Sequence, residues 1–291
     1  MSMGKIIDFN CTYDNSIGMF EEVTKKTNLQ FPEAYKYWDS MAILAKELKE
    51  YDKAPFCELP FCHTVEGEAM GGSINYGNDK IGPRAKGYVC TTAEDILALP
   101  EIDYLKGRIS EVLKACKHLR EKGENVVLYV SGPFTIMNVL IDPRHVFKIL
   151  KRNPEVMEDI FHKFQNEILR FIAEAQKSGV NMISYGDSSG GLNILGPKFS
   201  EQVVEMFTYP LLKSMKEILS DETIVLLCPK TTFALLGTDK AVWKDIQMKA
   251  PIKYSKACVE VIGKTKFIGQ MCIKNKEFEL KNGIIKAINL L

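Results

Sequence analysis

Side chains capable of acid–base or metal chemistry cluster after a short apolar run that ends at Leu59. Cys62, His63, Glu66 and Glu68 follow within nine residues. Cysteine and histidine are ligands for zinc, and paired carboxyls can exchange protons with a substrate. Buried cysteines and glutamates are also common as packing and structural groups. The segment therefore predicts a functional loop, with a structural role as the alternative.

Three further polar side chains stand where other apolar runs end. Asp187 follows Met182 to Tyr185, Cys228 ends the run from Thr223, and Cys272 follows the run from Phe267. Asp187 could instead cap the Ser-Ser-Gly-Gly turn that comes after it. Because ligands of parallel α/β folds bind at the carboxyl ends of strands, these positions are predicted to lie at one site.

The elements that would position these groups alternate between short apolar strands and long amphipathic helices. Strands are predicted at 126–131, 182–185, 223–228 and 267–271, and helices at 32–51, 101–122, 154–179, 200–219 and 252–262. Asn153 is predicted to cap the third of these helices. This alternation is typical of parallel βαβ units, in either an open sheet or a barrel. Two faint strands are expected within 78–90 and 239–250.

Composition narrows the classes of partner. The 291 residues carry 38 Lys plus Arg and 37 Asp plus Glu, a net charge of +1, so no nucleic acid partner is expected. No run approaches the length of a membrane span, so no membrane partner is expected, and the eight cysteines are interpreted as reduced thiols of a cytoplasmic protein. A small molecule is the preferred partner.

At these same segments the sequence resembles the uroporphyrinogen decarboxylase superfamily, from about Phe31 onward. The likeness is carried by Pro60-Phe-Cys-His-Thr-Val-Glu-Gly-Glu-Ala-Met-Gly71, by Ser131-Gly-Pro-Phe-Thr135, by the Asp187 turn with Gly196-Pro-Lys-Phe199, and by the strand that ends at Cys228. The resemblance implies an α/β fold, a (β/α)8 TIM barrel with an N-terminal helical extension. Residues 1–291 are then one domain, with 1–54 as the helical lead-in and 55–291 as the barrel.

Within that superfamily the sequence looks more like the corrinoid-dependent methyltransferases of the methylcobamide:coenzyme M type than the decarboxylases. The resemblance implies that a true decarboxylase would bind its substrate in a basin lined with arginines, whereas in this sequence no arginine precedes Arg84. The resemblance implies one-carbon metabolism of an anaerobe. The Asp-x-His-x-x-Gly pattern of a cobalamin-binding module is absent from the sequence, so the methylated corrinoid is expected on a partner protein.

The thiol-using members hold zinc through a His-x-Cys pair and a later cysteine. Cys228 matches the cysteine of the pair and Cys272 the later one, but Leu226 occupies the histidine position. Three alternatives remain. His63 or Cys62 supplies the missing ligand, or the site works without metal, or the chain has lost catalysis and only binds a corrinoid protein.

The function implied is methyl transfer between a methylated corrinoid protein and a small acceptor of thiol or pterin type. The alternative is a carboxy-lyase in which Asp187 stabilises a developing cation. The predicted site consists of Asp187 and Glu66 as catalytic residues, Glu68, Tyr185, Ser188 and Gln270 as substrate-binding residues, and Cys228, Cys272 and His63 as zinc ligands.

Overall fold

The computed structural model describes residues 6–9, 11 and 17–291. The helices are α1 (Glu21–Thr27), α2 (Trp38–Tyr51), α3 (Val65–Ala69), α4 (Ala93–Ala98), α5 (Gly107–Glu121), α6 (Pro133–Leu140), α7 (Pro143–Arg152), α8 (Pro154–Lys177), α9 (Leu192–Val203), α10 (Tyr209–Ile218), α11 (Pro229–Gly237) and α12 (Tyr254–Glu260). The strands are β1 (Cys57–Leu59), β2 (Ser73–Asn75), β3 (Arg84–Gly87), β4 (Val126–Ser131), β5 (Met182–Gly186), β6 (Ile224–Leu227), β7 (Ala241–Gln247), β8 (Ile252–Lys253), β9 (Phe267–Ile268), β10 (Glu279–Leu280) and β11 (Ile284–Leu290). Short 3-10 turns occur at Glu33–Tyr35 and Ser188–Gly190, and a π-helical turn at Val204–Thr208 joins α9 to α10.

One seven-stranded sheet organises the molecule, in the order β1-β4-β5-β6-β9-β11-β7. The first five strands pair in parallel, whereas β11 is antiparallel to both β9 and β7. Among the residues that the structure describes, no ladder joins the two end strands, β1 and β7. The carboxyl ends of the five parallel strands therefore lie along one edge.

Alternating side chains of the sheet enter two separate cores. One face contributes residues such as Val127, Met182 and Leu226 to an inner cluster. The other face, with Leu128 and Ile183 among its members, packs beneath the surrounding helices. Because both faces are buried, the strands read as continuous apolar runs, which is why the sequence revealed them.

The helices are held to the sheet by apolar stripes. In α8, Ile160, Phe164 and Phe171 recur at helical spacing and are all at most 1% exposed. The helix ends before Gly179, whose φ of +80° is in the left-handed region that glycine tolerates best. Ahead of the sheet, Val23 of α1 and Leu44 of α2 form a small core with Tyr35. The N-terminal extension thus contains the helices α1 and α2, as predicted.

Several predicted boundaries are wrong. β3, within the predicted 78–90 strand, pairs only with β2 in a separate antiparallel hairpin and does not join the main sheet. Residues 101–106 precede α5 rather than forming its first turn, because the backbone N–H of Ile102 is bonded to Glu167 of α8. The other faint strand is β7, which does join the main sheet.

The predicted cap of α8 is also wrong. The Asn153 side chain accepts no hydrogen bond from α8. Asn153 is the single residue between α7 and α8, and its φ/ψ of −133°/65° is set by the junction between the two helices. Over the described residues, no helix combines the length and apolar character needed to cross a membrane.

Candidate functional site

Backbone hydrogen bonds draw the carboxyl ends of β4, β5 and β6 together. The N–H of Gly132 donates to the carbonyl of Gly186 at 2.9 Å, and the N–H of Cys228 donates to that of Tyr185 at 2.8 Å. A Cβ added at Gly186 would lie 3.2 Å from the Cβ of Cys228. The chain segments that carry the predicted site residues therefore meet at one end of the sheet.

Glu66, on α3, reaches the end of β4. Its Oε1 accepts the backbone N–H of Ser131 at 2.7 Å, and its Oε2 accepts the Ser131 hydroxyl at 3.3 Å. The side chain is only 3% exposed, and this burial raises the pKa of the carboxyl, opposed by the bonds from Ser131. Glu66 thus joins the first strand-end loop to β4.

Asp187, directly after β5, caps the first turn of a helix. One oxygen accepts the N–H of Phe134 at 3.1 Å, and the other accepts the N–H and the hydroxyl of Thr135, each at 2.8 Å. These donors belong to the first turn of α6, whose positive dipole end favours a carboxylate. Burial nevertheless raises the pKa of Asp187, against these hydrogen bonds. The side chain keeps partial exposure and lines a small cavity.

The close approach of the chain around Asp187 depends on glycine. A Cβ at Gly132 would lie 2.5 Å from the Cβ of Asp187, and one at Gly190 would lie 2.6 Å from its Oδ2. Both contacts are shorter than real Cβ atoms allow, so only glycine fits at these two positions.

Cys228 directly follows β6, as predicted, whereas Cys272 lies four residues after β9, which ends at Ile268 and not at the predicted Met271. Burial raises the pKa of Cys228 to about 11, against a hydrogen bond from the backbone N–H of Lys230 that lowers it. Burial also raises the pKa of Cys272, while the backbone N–H of Lys274 lowers it. Both thiols are therefore protonated at neutral pH.

His63 is not grouped with the other predicted zinc ligands. Its ring packs edge-on against Tyr129, with centroids 5.7 Å apart, and its buried Nδ1 has no hydrogen-bond partner. Burial lowers the pKa of His63 to about 4, with a further contribution from the charge of Lys274. The imidazole is neutral at pH 7.

The residues present do not fit a zinc ion. Within residues 6–9, 11 and 17–291, no three His, Cys, Asp or Glu side chains are grouped so that they could hold a metal. Leu226, at the position expected for histidine, is 3% exposed and belongs to the inner apolar core. A catalytic zinc needs three protein ligands, so the described donor set offers none of the required geometry.

Glu68 is an ion-pair partner rather than an open substrate ligand. Its Oε2 lies 2.6 Å from Nε and 2.5 Å from Nη2 of Arg108, and its Oε1 accepts the Tyr76 hydroxyl. Arg108 is 7% exposed and donates also to the thiol of Cys62 at 3.1 Å and to the hydroxyl of Thr64 at 2.6 Å. Through Glu68, Cys62 and Thr64, Arg108 holds the loop after β1 against α5.

The remaining predicted ligands differ in their placement. Tyr185 is 1% exposed and faces the helix-side core, where it lines the same cavity as Asp187. Ser188 is exposed, and its hydroxyl lies 3.4 Å from that of Thr135. The side-chain oxygen of Gln270 accepts the backbone N–H of Lys286 at 3.0 Å, which ties the end of β9 to β11.

Sequence reasoning missed a polar network beside His63. The Tyr129 hydroxyl donates to Glu58 of β1, Lys276 forms an ion pair with Glu58, and its Nζ lies 2.5 Å from a carboxylate oxygen of Asp52. The signal was available at one position, because Glu58 is a charged residue between two buried residues of a short strand. Its partners, distant in sequence, carried no such signal.

The fold and the site define an α/β protein whose polar groups converge at the carboxyl ends of parallel strands, as in TIM-barrel enzymes. The sequence matches the family Uroporphyrinogen decarboxylase (URO-D) over residues 18–253, and the chain belongs to this family. The predicted fold class, a TIM-barrel α/β fold with an N-terminal helical extension, is confirmed, with seven strands in the described main sheet.

Individual relatives point to one branch of the family. The chain is 24% identical over 271 residues to "Methylcobamide:CoM methyltransferase MtaA" of Methanosarcina barkeri, covering 92% of this chain and 78% of that protein. It is 25% identical over 222 residues to "Methylcobamide:CoM methyltransferase MtbA" of Methanosarcina acetivorans, covering 75% and 65%. A solved "methyltransferase from Methanosarcina mazei" superposes with a TM-score of 0.65 at 21% identity, covering 81% and 68%. The relatives are thus corrinoid-related methyltransferases at low identity, as predicted.

Proposed function

We propose that this chain is a methyltransferase that moves a methyl group from a methylated corrinoid, carried by a partner protein, to a small thiol acceptor. Support comes from the relatives named above as methylcobamide:CoM methyltransferases. A pterin acceptor, the other predicted class, has no comparable support. The proposal includes one-carbon metabolism of an anaerobe and a cytoplasmic location as expectations.

The observation that carries the proposal against decarboxylation is the placement of the arginines. The chain has six, none after Arg170, so none follows β5, β6 or β9. Arg108, the buried one near the strand ends, is fully engaged with Glu68, Cys62 and Thr64. A substrate with many carboxylates needs free bidentate arginines, whereas a thiol and a methyl group do not.

The reaction makes few demands on the protein's own groups. The acceptor thiol loses its proton, its sulfur bonds the methyl carbon, and the carbon–cobalt bond breaks with both electrons remaining on cobalt. We assign proton acceptance to Asp187, because it is partly exposed beside a cavity and burial raises its pKa. Glu66 is a positioning residue in this scheme, since it is 3% exposed, does not line the cavity beside Asp187, and fixes the end of β4 through Ser131.

The test is methyl transfer from free methylcobalamin to 2-mercaptoethanesulfonate, followed by the corrinoid absorbance and by mass spectrometry of the methylated thiol. Asp187→Asn keeps the shape of the side chain and should lower kcat about 100-fold, the usual size of a lost acid–base group. Ser189→Ala, on the neighbouring turn, is the matched control and should retain the wild-type rate. Absence of methylated thiol, or carbon dioxide release from uroporphyrinogen at an enzymatic rate, would overturn the proposal.

A further inference from the structure

The outer side of α7 carries a stripe of four positive side chains, which we call the basic α7 surface. Because residues three and four positions apart lie on the same side of a helix, the stripe is formed by Arg144, Lys148, Lys151 and Arg152. All four are exposed, whereas Val146, Ile149 and Leu150 on the opposite side of α7 are buried in the helix-side core. Since the whole chain has a net charge of only +1, this concentration of positive charge is local.

Three of these cations have no partner of opposite charge. Arg144 is paired with Asp142, whose side chain also caps α7. Among the residues that the structure describes, the other three form no ion pair and no hydrogen bond through their side chains, and neither do the acidic Glu155 and Glu158 at the start of α8. The positive charge of α7 is therefore available to a partner that supplies negative charge.

The basic α7 surface lies on the side of the molecule where the parallel strands end. α6 begins at Pro133, directly after the carboxyl end of β4, and Asp187 caps its first turn. α7 follows α6 after two residues and packs against it. At a rise of about 1.5 Å per residue, the eight residues of α6 place about 12 Å between Asp187 and the end of α6, where α7 begins.

Two exposed side chains with apolar surface adjoin these cations. The backbone N–H groups of Val89 and Cys90 donate to the carbonyl of Leu140 at 3.0 and 2.9 Å, just before α7. Tyr88 is 50% exposed and Val89 is 46% exposed. Apolar and aromatic groups beside a polar rim are typical of interfaces between proteins.

These features favour an acidic protein over other anionic partners. A helix that binds a membrane surface inserts its apolar side among the lipids, whereas the apolar side of α7 is buried within the protein. Tight binding to DNA commonly uses about six to ten phosphate contacts, more than the cations of this surface provide. A second copy of this chain would present the same positive charge, so symmetric docking through α7 is repelled.

We propose that the basic α7 surface, with Tyr88 and Val89, docks an acidic face of the partner protein that carries the methylated corrinoid. The identity of this partner rests on the proposed function, because methyl transfer brings the carrier to the end of the sheet where Asp187 lies. Positive charge beside that end steers an acidic carrier toward it and fixes its orientation.

Binding of the carrier tests the docking surface without any need for catalysis. The probe is the methylated corrinoid protein, purified by its corrinoid absorbance from the cells that produce this chain, and its affinity is measured by calorimetry at low salt. The double variant Lys148→Glu with Lys151→Glu should weaken binding about fivefold or more, because two attractions become repulsions. The control, Lys122→Glu with Lys216→Glu, changes the net charge equally on exposed lysines near the amino ends of the parallel strands and should bind as the wild type.

Kinetics gives a second readout that a general loss of structure would not mimic. In the methyl-transfer assay, the α7 double variant should raise KM for the corrinoid protein about fivefold or more and keep the wild-type rate with free methylcobalamin, which needs no docking surface. Added NaCl should raise the wild-type KM for the corrinoid protein and change that of the variant much less, since salt screens exposed charges.

The two proposals fail separately in this design. Absence of binding, or equal affinity of the α7 variant and the wild type, overturns the docking surface even if methyl transfer from free methylcobalamin proceeds. Tighter binding of the wild type to phosphatidylglycerol vesicles or to duplex DNA than to the corrinoid protein overturns it as well. Binding of the corrinoid protein that depends on Lys148 and Lys151, without methyl transfer from either donor, retains the surface and removes the proposed function.

Discussion

Both carboxylate oxygens of Glu66 accept hydrogen bonds from Ser131, one from its backbone N–H and one from its hydroxyl. The two residues are 65 positions apart and belong to α3 and the end of β4. A single buried side chain therefore fixes the loop after β1 relative to the next parallel strand. Glu66, predicted from the sequence as a catalytic residue, therefore has a structural role, and its contribution to stability can be measured.

Glu66 should make the stability of the protein depend on pH. Its folded-state pKa lies above the ordinary value of 4.5 because of burial, so the folded protein binds this proton more tightly than the unfolded chain does. The free energy of unfolding should then fall as pH rises from 4.5 through the raised pKa. In Glu66→Gln the amide oxygen can still accept the Ser131 N–H and the amide nitrogen can donate to the Ser131 hydroxyl, so this variant should flatten that slope in urea unfolding between pH 4.5 and 8. An unchanged slope, with exposed Glu121→Gln as control, would contradict the burial argument.

Asp187 should stabilise the fold as a cap of α6, in addition to any role in catalysis. Asp187→Ala removes three acceptor contacts from Phe134 and Thr135 and should lower the free energy of unfolding by about 2 kcal/mol. Urea denaturation monitored by circular dichroism measures this loss. Ser188→Ala, at the exposed neighbour, should change stability by less than about 0.5 kcal/mol. Equal effects of the two substitutions would show that the cap contributes nothing.

The buried pair of Arg108 and Glu68 should show strong energetic coupling. Arg108→Met leaves Glu68 largely buried without its cation and should cost about 3 kcal/mol. Adding Glu68→Gln should recover part of that loss, because the remaining partner no longer carries a charge. A double-mutant cycle from urea denaturation gives the coupling energy. The exposed pair Lys117 and Glu121, 4.0 Å apart, is the comparison and should show little coupling; similar values for both pairs would refute the prediction.

Placing a histidine at position 226 should increase the zinc affinity of the chain. Leu226 and Cys228 are two residues apart along the strand direction of β6, so a histidine there would share a side with the thiol. Leu226→His should retain more zinc after dialysis than wild-type protein, measured by metal analysis. Leu226→Met, of similar volume, is the control. Wild-type protein with one equivalent of zinc would show that the donors rearrange to accept the metal.

Elements that are buried on both sides were predictable from the sequence, and their long-range partners were not. β4 matches the predicted 126–131, and β5 starts at the predicted Met182, because both are continuous apolar runs. Asn153 shows where capping preferences read from the sequence fail. Its backbone conformation must fit both of the helices that it joins, α7 and α8.

The candidate site followed the same division. Positions at strand ends were predictable, because parallel strands bring their carboxyl ends to one edge. The ion pairs of Glu68 with Arg108 and of Glu58 with Lys276 were not predictable. Their partners are 40 and 218 positions apart in the sequence, so the pairs depend on how the folded elements are placed next to one another. His63 illustrates the consequence: its sequence neighbours suggested a metal ligand, whereas its spatial neighbour is the ring of Tyr129.

The position of β11 in the sheet has a consequence for the order of assembly. This strand lies between β9 and β7, so β7 contacts the sheet through residues that follow it by about forty positions. During synthesis, β7 must remain without its ladder until residues 284–290 have emerged, and its edge is exposed to mispairing in the interval. The parallel half can assemble earlier from strands already made. β11 is therefore inserted between β9 and β7, two strands that are synthesised before it.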